Sequence, residues 1–338
     1  MNVVEFARAL VDLESITGNE RAMADYVHEC VSKLARAAGG RVERMDVEKD
    51  RFNVFAHWGA PVVTLSTHMD TVPPFIPSRE DDEFLWGRGA CDAKGILAAM
   101  VSAAEKLLAS GATNFGLLFV VGEERNSAGA RAAAKSPRGS RYLINGEPTE
   151  NKLALASKGA LRLEIVARGR MAHSAYPELG ESAIETLLDV LESVRRVPLP
   201  GNAELGATTL NIGTISGGRA PNVVPDAANA EILVRLAVDA APVRAAIEAA
   251  VTGRAELKEV LCVPVIRFER VDGLPTTVVS FTTDVPMLCP AWGKPVMLGP
   301  GTIHVAHTAE ERVRKSELAD AVTIYADMVR RLLAEAGA

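Results

Sequence analysis

The 338-residue chain has four cysteines (Cys30, Cys91, Cys262 and Cys289), far apart and never in C-x-x-C spacing. That argues against a disulfide framework and a thiolate zinc site, and it suits a reducing cytosol. No apolar run approaches the ~18 residues of a membrane span. The opening "MNVVEFARALVDLE" carries Glu5 and Asp12 and has no basic stretch ahead of an apolar one, so it does not read as a signal peptide. Net charge is −6, with no basic stripe interleaved with aromatics, which argues against nucleic acid as a partner. Internal repeats and low-complexity segments are also missing. These absences lead to the expectation of a soluble, cytoplasmic protein that binds neither nucleic acid nor membrane.

What is present begins with length. The chain is longer than a single core usually grows, so two domains are expected. Thr17-Gly18-Asn19-Glu20 reads as a capping box, and Met23, Tyr26, Val27, Val31, Leu34 and Ala38 follow at helical spacing until Gly39-Gly40. Strand-like runs "NVFAHW" and "PVVTLSTH" precede a helix, "KGILAAMVSAAEKLLASG". The apolar strands "FGLLFVVGEE" and "SRYLINGEP" come next. Strands alternating with helices predict an α/β fold, with a largely parallel sheet covered on both faces. From residue 159 the order becomes β-α-β-β-α-β, the ferredoxin-like pattern. The expected organisation is a catalytic domain in two parts, 1–158 and 272–338, with a domain inserted at 159–271. Short buried strands are expected in "DGLPTTVVSFTTDVPML" and "GKPVMLGPG", and the helix "SELADAVTIYADMVRRLLAEA" closes the chain.

Acids and histidines collect where these strands run out: His68 and Asp70, Asp92, Glu123 and Glu124, Glu147, and His307. In open α/β sheets ligands bind beyond the carboxyl ends of strands. His68 and Asp70 are two apart, so an extended backbone points both to one face. Asp92 in "GRGACDAKG" has a tight glycine turn before a helix; it reads as an N-cap or as a carboxylate bridging two cations. Gly87 and Gly89 lack the spacing of a nucleotide-binding loop. Glu123 and Glu124 put like charges at the end of a buried strand, which is costly unless a cation offsets them. Of His304 and His307, the residue types alone do not choose. The inventory suits a pair of zinc-like ions beside a general base.

In order and spacing, from "STHMDTVPP" to "VAHTAEERV", the chain resembles the di-zinc aminoacylase and carboxypeptidase family, which includes acetylornithine deacetylase and succinyl-diaminopimelate desuccinylase. The resemblance implies that the inserted domain is a dimerisation domain. It also implies that His68, Asp92 and Glu147 hold one metal and Asp92, Glu124 and His307 the other. Glu123 would be the general acid/base and Asp70 the partner of His68. His307 is chosen over His304 because Glu311 follows it by four residues. Similarity of "GRMAHSAYPELGESAIE" implies that His173 reaches the active site of a partner subunit in a homodimer. Similarity of "APNVVPDAANAEILVRL" implies that Asn222 and Arg235 grip a substrate carboxylate. The two divalent ions are expected to be zinc, with cobalt or manganese as alternatives.

The expected reaction is hydrolysis of the amide of an N-acylated amino acid, of the N-acetyl-ornithine or N-acetyl-lysine type. The stretch "TTDVPML…GKPVMLGPGTIHVAHTAEERV" most resembles the acetylornithine deacetylase branch and its acetyl-lysine relatives. A desuccinylase and a dipeptidase or carboxypeptidase are the alternatives. A non-enzymatic scaffold of the same fold should lack a ligand or the catalytic Glu, whereas here every position is filled.

Overall fold

A computed structural model of the chain describes residues 2–337. In chain order it begins with α1 (Val3–Val11), α2 (Arg21–Ala37), β1 (Arg41–Glu48), β2 (Arg51–Trp58) and β3 (Val63–His68). Next come α3 (Lys94–Ala109), β4 (Phe115–Val120), α4 (Ala128–Ala134) and β5 (Tyr142–Asn145). A second stretch holds β6 (Gly159–Arg168), α5 (Ala183–Arg195), β7 (Thr209–Gly217), β8 (Ala227–Leu236), α6 (Ala240–Val251) and β9 (Glu256–Val263). The chain ends with β10 (Lys294–Met297) and α7 (Lys315–Ala336). Contacts group it into two units: 1–155 with 267–277 and 283–338, and 156–266 with 278–282.

The first unit is built on a six-stranded sheet of order β1-β2-β4-β3-β5-β10. β4, β3, β5 and β10 run parallel, while β1 and β2 add an antiparallel edge. β3 and β4 are buried along their whole length, as their unbroken apolar runs require of strands covered on both faces. α3 is buried almost throughout because α1 and α7 pack over it. This is the mixed, largely parallel α/β sheet flanked by helices that the sequence predicts.

The second unit orders its strands β7-β8-β6-β9, all antiparallel, with α5 and α6 in the two crossovers. That is the ferredoxin-like arrangement. Alternation along β8, with every second residue buried, places Ala228, Ala230, Ile232, Val234 and Leu236 in a core of its own.

Two local expectations are corrected. Thr17 does not cap α2, which starts at Arg21 with no side-chain cap. Thr17 instead donates its hydroxyl to Asp70 Oδ2 at 2.7 Å. Glu20, fully buried, accepts two hydrogen bonds from Arg51, at 2.6 and 2.8 Å. A paired, charge-assisted bond to a buried carboxylate is worth more than the cap it displaces. The other concerns "VPML", expected as a strand, which is a single helical turn, Val285–Leu288. Pro286 has no N–H to give a ladder, and its fixed φ suits the first turn of a helix.

Candidate active site

Parallel neighbours share a polarity, so β3, β4, β5 and β10 present their carboxyl ends on one edge of the sheet. β3 ends at His68. The turn after β4 carries Glu123 and Glu124, Glu147 stands just past β5, and the loop after β10 carries His307. Asp92 lies two residues before α3, in a turn opened by Gly87 (φ 134°) and Gly89 (φ 90°), backbone that glycine adopts without strain.

His68 Nε2 is 2.9 Å from Asp92 Oδ1, and His307 Nε2 is 3.4 Å from Asp92 Oδ2 and 2.9 Å from Glu124 Oε1. One ligand atom each from His68, Asp92 and Glu124 lies within 4.8 Å of the others. Glu147, buried, accepts from Asn145 Nδ2 at 3.2 Å and stands outside this tightest group. It remains near enough for the Asp92 charge to help burial hold its carboxyl well above the usual range. His304 is exposed.

Asp70 behaves differently from a simple carboxylate partner of His68. His68 Nδ1–H donates to the Asp70 backbone oxygen at 3.0 Å, while the Asp70 carboxylate stands 3.6 Å from that nitrogen. This bond fixes the tautomer and leaves Nε2 to face Asp92. The Asp70 carboxylate accepts from the backbone N–H groups of Glu123 and Glu124, at 3.1 and 3.2 Å, and from Thr17. Asp70 therefore orients the turn that presents both glutamates.

Electrostatics mark the same edge. Burial drives Glu123 well above the carboxylate range and raises Glu124. For Asp92, burial acts upward, but hydrogen bonds from His307 and His68 hold it low. Bonds to Asp92 and Glu124 push His307 up to about 10. This much buried negative charge is what a divalent cation offsets. The donors are imidazole and carboxylate only: the neighbouring Cys91 thiol donates to Thr302 O, and burial pushes it well above its ordinary value. Such a set fits zinc, cobalt or manganese.

In the second unit, His173 and Asn222 are brought together. Residues 172–173 form a two-residue ribbon with 223–224, and Ser174 N–H donates to Asn222 O at 3.0 Å. Both residues are exposed, beside the exposed Met171, Tyr176 and Leu179. Arg235 is not with them. It sits near the far end of β8, and at ~3.4 Å per residue the strand carries it ~27 Å beyond Ala227. Half-buried, it has no ion-pair partner among the described residues.

The sequence reading missed two acids. Glu311, used there only to choose His307, is buried and accepts from Gly89 N–H at 2.8 Å, Asp92 N–H at 3.2 Å and Cys91 N–H at 3.3 Å. Asp284 is buried with neither carboxylate oxygen hydrogen-bonded, burial pushes it up to about 7, and its charge bears on Glu123 and Glu147. Asp284 lies in "TTDVPML", which reads in the sequence as part of a short buried strand, and that conceals it.

Fold and site together define a metal-dependent hydrolase, and comparison with known proteins agrees. The family described as peptidase family M20/M25/M40 matches residues 64–331, and the chain belongs to that family. A probable carboxypeptidase of Aspergillus terreus is 38% identical over 373 residues, covering 96% of this chain and 85% of the relative. Among solved structures, aminopeptidase PepT of Bacillus cereus superposes with a TM-score of 0.80 at 22% identity, covering 98% of each chain. A dinuclear metal binding peptidase of the M20 family from Bacillus subtilis superposes at 0.70 with 17% identity, covering 97% of this chain and 96% of that one. The protein is thus a hydrolase of the metallopeptidase class. These likenesses do not single out the acetylornithine deacetylase branch. Among the described residues no helix is long and apolar enough to cross a membrane.

Proposed function

We propose that the protein hydrolyses the amide bond of a short peptide or N-acylated amino acid that carries a free α-carboxylate, using two divalent metal ions. The observation that carries this reading is the convergence of His68, Asp92 and Glu124 at the carboxyl edge of the parallel strands. His68, Asp92 and Glu147 would hold one ion and Asp92, Glu124 and His307 the other, with Asp92 shared. Bound there, the ions supply a water acidified towards neutral pH and a polarised substrate carbonyl.

Glu123 takes the proton from the attacking water and returns one to the leaving amine. Its place is fixed because its own N–H is tied to Asp70. Arg235 meets the substrate carboxylate with its planar fork, for which an unpaired, half-buried guanidinium is suited. His173 steadies the developing oxyanion. Asn222 travels with His173 in the same ribbon, so in a homodimer with shared sites both come from the partner subunit.

The carboxypeptidase form of this reading is favoured by the 38%-identical relative, and a dipeptidase is its near variant. The deacetylase form, on N-acetyl-ornithine or N-acetyl-lysine, and the succinyl-diaminopimelate form differ in the pocket for the acyl group and side chain. A panel of dipeptides, these two N-acetyl amino acids and N-succinyl-diaminopimelate separates them. A site that pairs a charged substrate group discriminates by ~10⁴-fold, so one class should stand out in kcat/KM. A flat panel, or turnover that survives loss of the substrate carboxylate, contradicts the proposed recognition.

A further inference from the structure

His307 and Asp92 come from opposite ends of the first unit's sequence, yet they must be set to within tenths of an ångström for a shared site. Metal-ligand distances tolerate only ~0.2 Å. One side chain bridges the two segments. Glu311 follows His307 by four residues, and its Oε1 gathers the N–H groups of Gly89, Cys91 and Asp92. Its Oε2 takes Arg88 Nη1 at 2.5 Å, and its backbone oxygen takes Gly87 N–H at 3.1 Å. Every residue from 87 to 92 except Ala90 is thereby tied to Glu311, and Ala90 N–H closes the turn on Gly87 O. Arg312–Arg314, immediately after Glu311, pairs antiparallel with Phe84–Trp86, immediately before the turn, and locks the register from outside.

The turn needs such an acceptor. With Gly87 and Gly89 at positive φ, the turn brings the N–H groups of Gly89, Cys91 and Asp92 to one point, an arrangement that collects an anion. Buried and without an acceptor, each would carry the desolvation penalty of an unmade hydrogen bond. Glu311, 1% exposed, supplies that acceptor from within the protein.

We propose that Glu311 is a positioning residue for the metal centre: it sets the separation of Asp92 from His307 and so the affinity for the ion those two share. This rests on the two-metal reading above. Gln in its place keeps the volume but offers one acceptor oxygen, and turns an N–H₂ towards either Arg88 or the amide cluster. Arg88→Lys disturbs the same buried pair while leaving all three amide bonds to Glu311.

The test is metal binding by calorimetry on the metal-free protein, with melting temperature followed without and with metal. Wild type should take up two ions; if it takes up none, the two-metal reading itself fails. Given two, Glu311→Gln should weaken one ion by ~10–100-fold, the usual cost of losing a ligand's supporting partner. Saturating metal should then restore turnover at an unchanged KM. Glu311→Asp, which withdraws the acceptor by one methylene, should do the same and serves if the Gln variant does not fold. Arg88→Lys should lower the melting temperature of the metal-free protein yet bind both ions within ~3-fold of wild type. Wild-type metal affinity in either folded Glu311 variant overturns the proposal. So does equal weakening in Arg88→Lys, which would make the cluster a fold element only.

Discussion

Glu123→Gln is expected to retain its metal and lose at least ~10²-fold in kcat, the low end of what a general acid/base contributes. The amide keeps the shape of the side chain, and the backbone N–H of residue 123 still reaches Asp70 Oδ1, so the turn and the proposed ligand Glu124 stay in place. What is removed is the group that accepts a proton. Because the proposed role of Glu123 is proton transfer and not substrate binding, KM should move little. His173→Ala should suffer comparably by itself. If the sites are shared across a homodimer, mixing the two inactive variants should recover activity, since one hybrid site then carries both an intact Glu123 and an intact His173. Near-normal turnover by Glu123→Gln rejects its role, and no recovery on mixing rejects the sharing.

Asp92→Ala should have the larger effect. Asp92 touches both imidazoles, His68 at 2.9 Å and His307 at 3.4 Å, so its loss removes a ligand from both proposed ions at once. Loss of a supporting partner alone costs ~10–100-fold in affinity or activity, and a shared ligand must exceed that. Excess metal should not restore turnover, which separates this variant from Glu311→Gln. Metal content by elemental analysis after reconstitution is the check: a variant that still holds two ions would show that Asp92 is not shared.

Much of the fold was legible because long, regular patterns carry it. The apolar runs that became β3 and β4, the helix closed by Gly111, and the β-α-β-β-α-β order of the second unit all have the expected types. Among the elements that escaped, α1 and β1 did so for different reasons. α1 has a readable pattern, since Phe6, Ala7, Leu10 and Val11 recur on one face behind an Asn2 cap, but its place at the chain's start also invites comparison with a leader. β1 was not readable, because an edge strand buries only Met45 and shows no clear alternation.

At the site, residue types were legible and bonding partners were not. Spacing put His68 and Asp70 on one face, but the approach of the 123–124 turn decides that the Asp70 carboxylate serves backbone N–H groups. Similarly, Asn222 and Arg235 lie in one sequence motif, while the length of β8 holds them apart. A motif records proximity along the chain; only the strand direction says where its two ends go.

The central claim is that the carboxyl edge of the parallel sheet holds two catalytic metal ions. Calorimetric titration of the metal-free protein with zinc, followed in parallel by peptide or N-acyl amino acid hydrolysis, tests it most directly. The account predicts about two equivalents bound per chain, activity rising with occupancy, and abolition of both by a chelator. Full activity in the presence of chelator, or saturation below one equivalent, would contradict it.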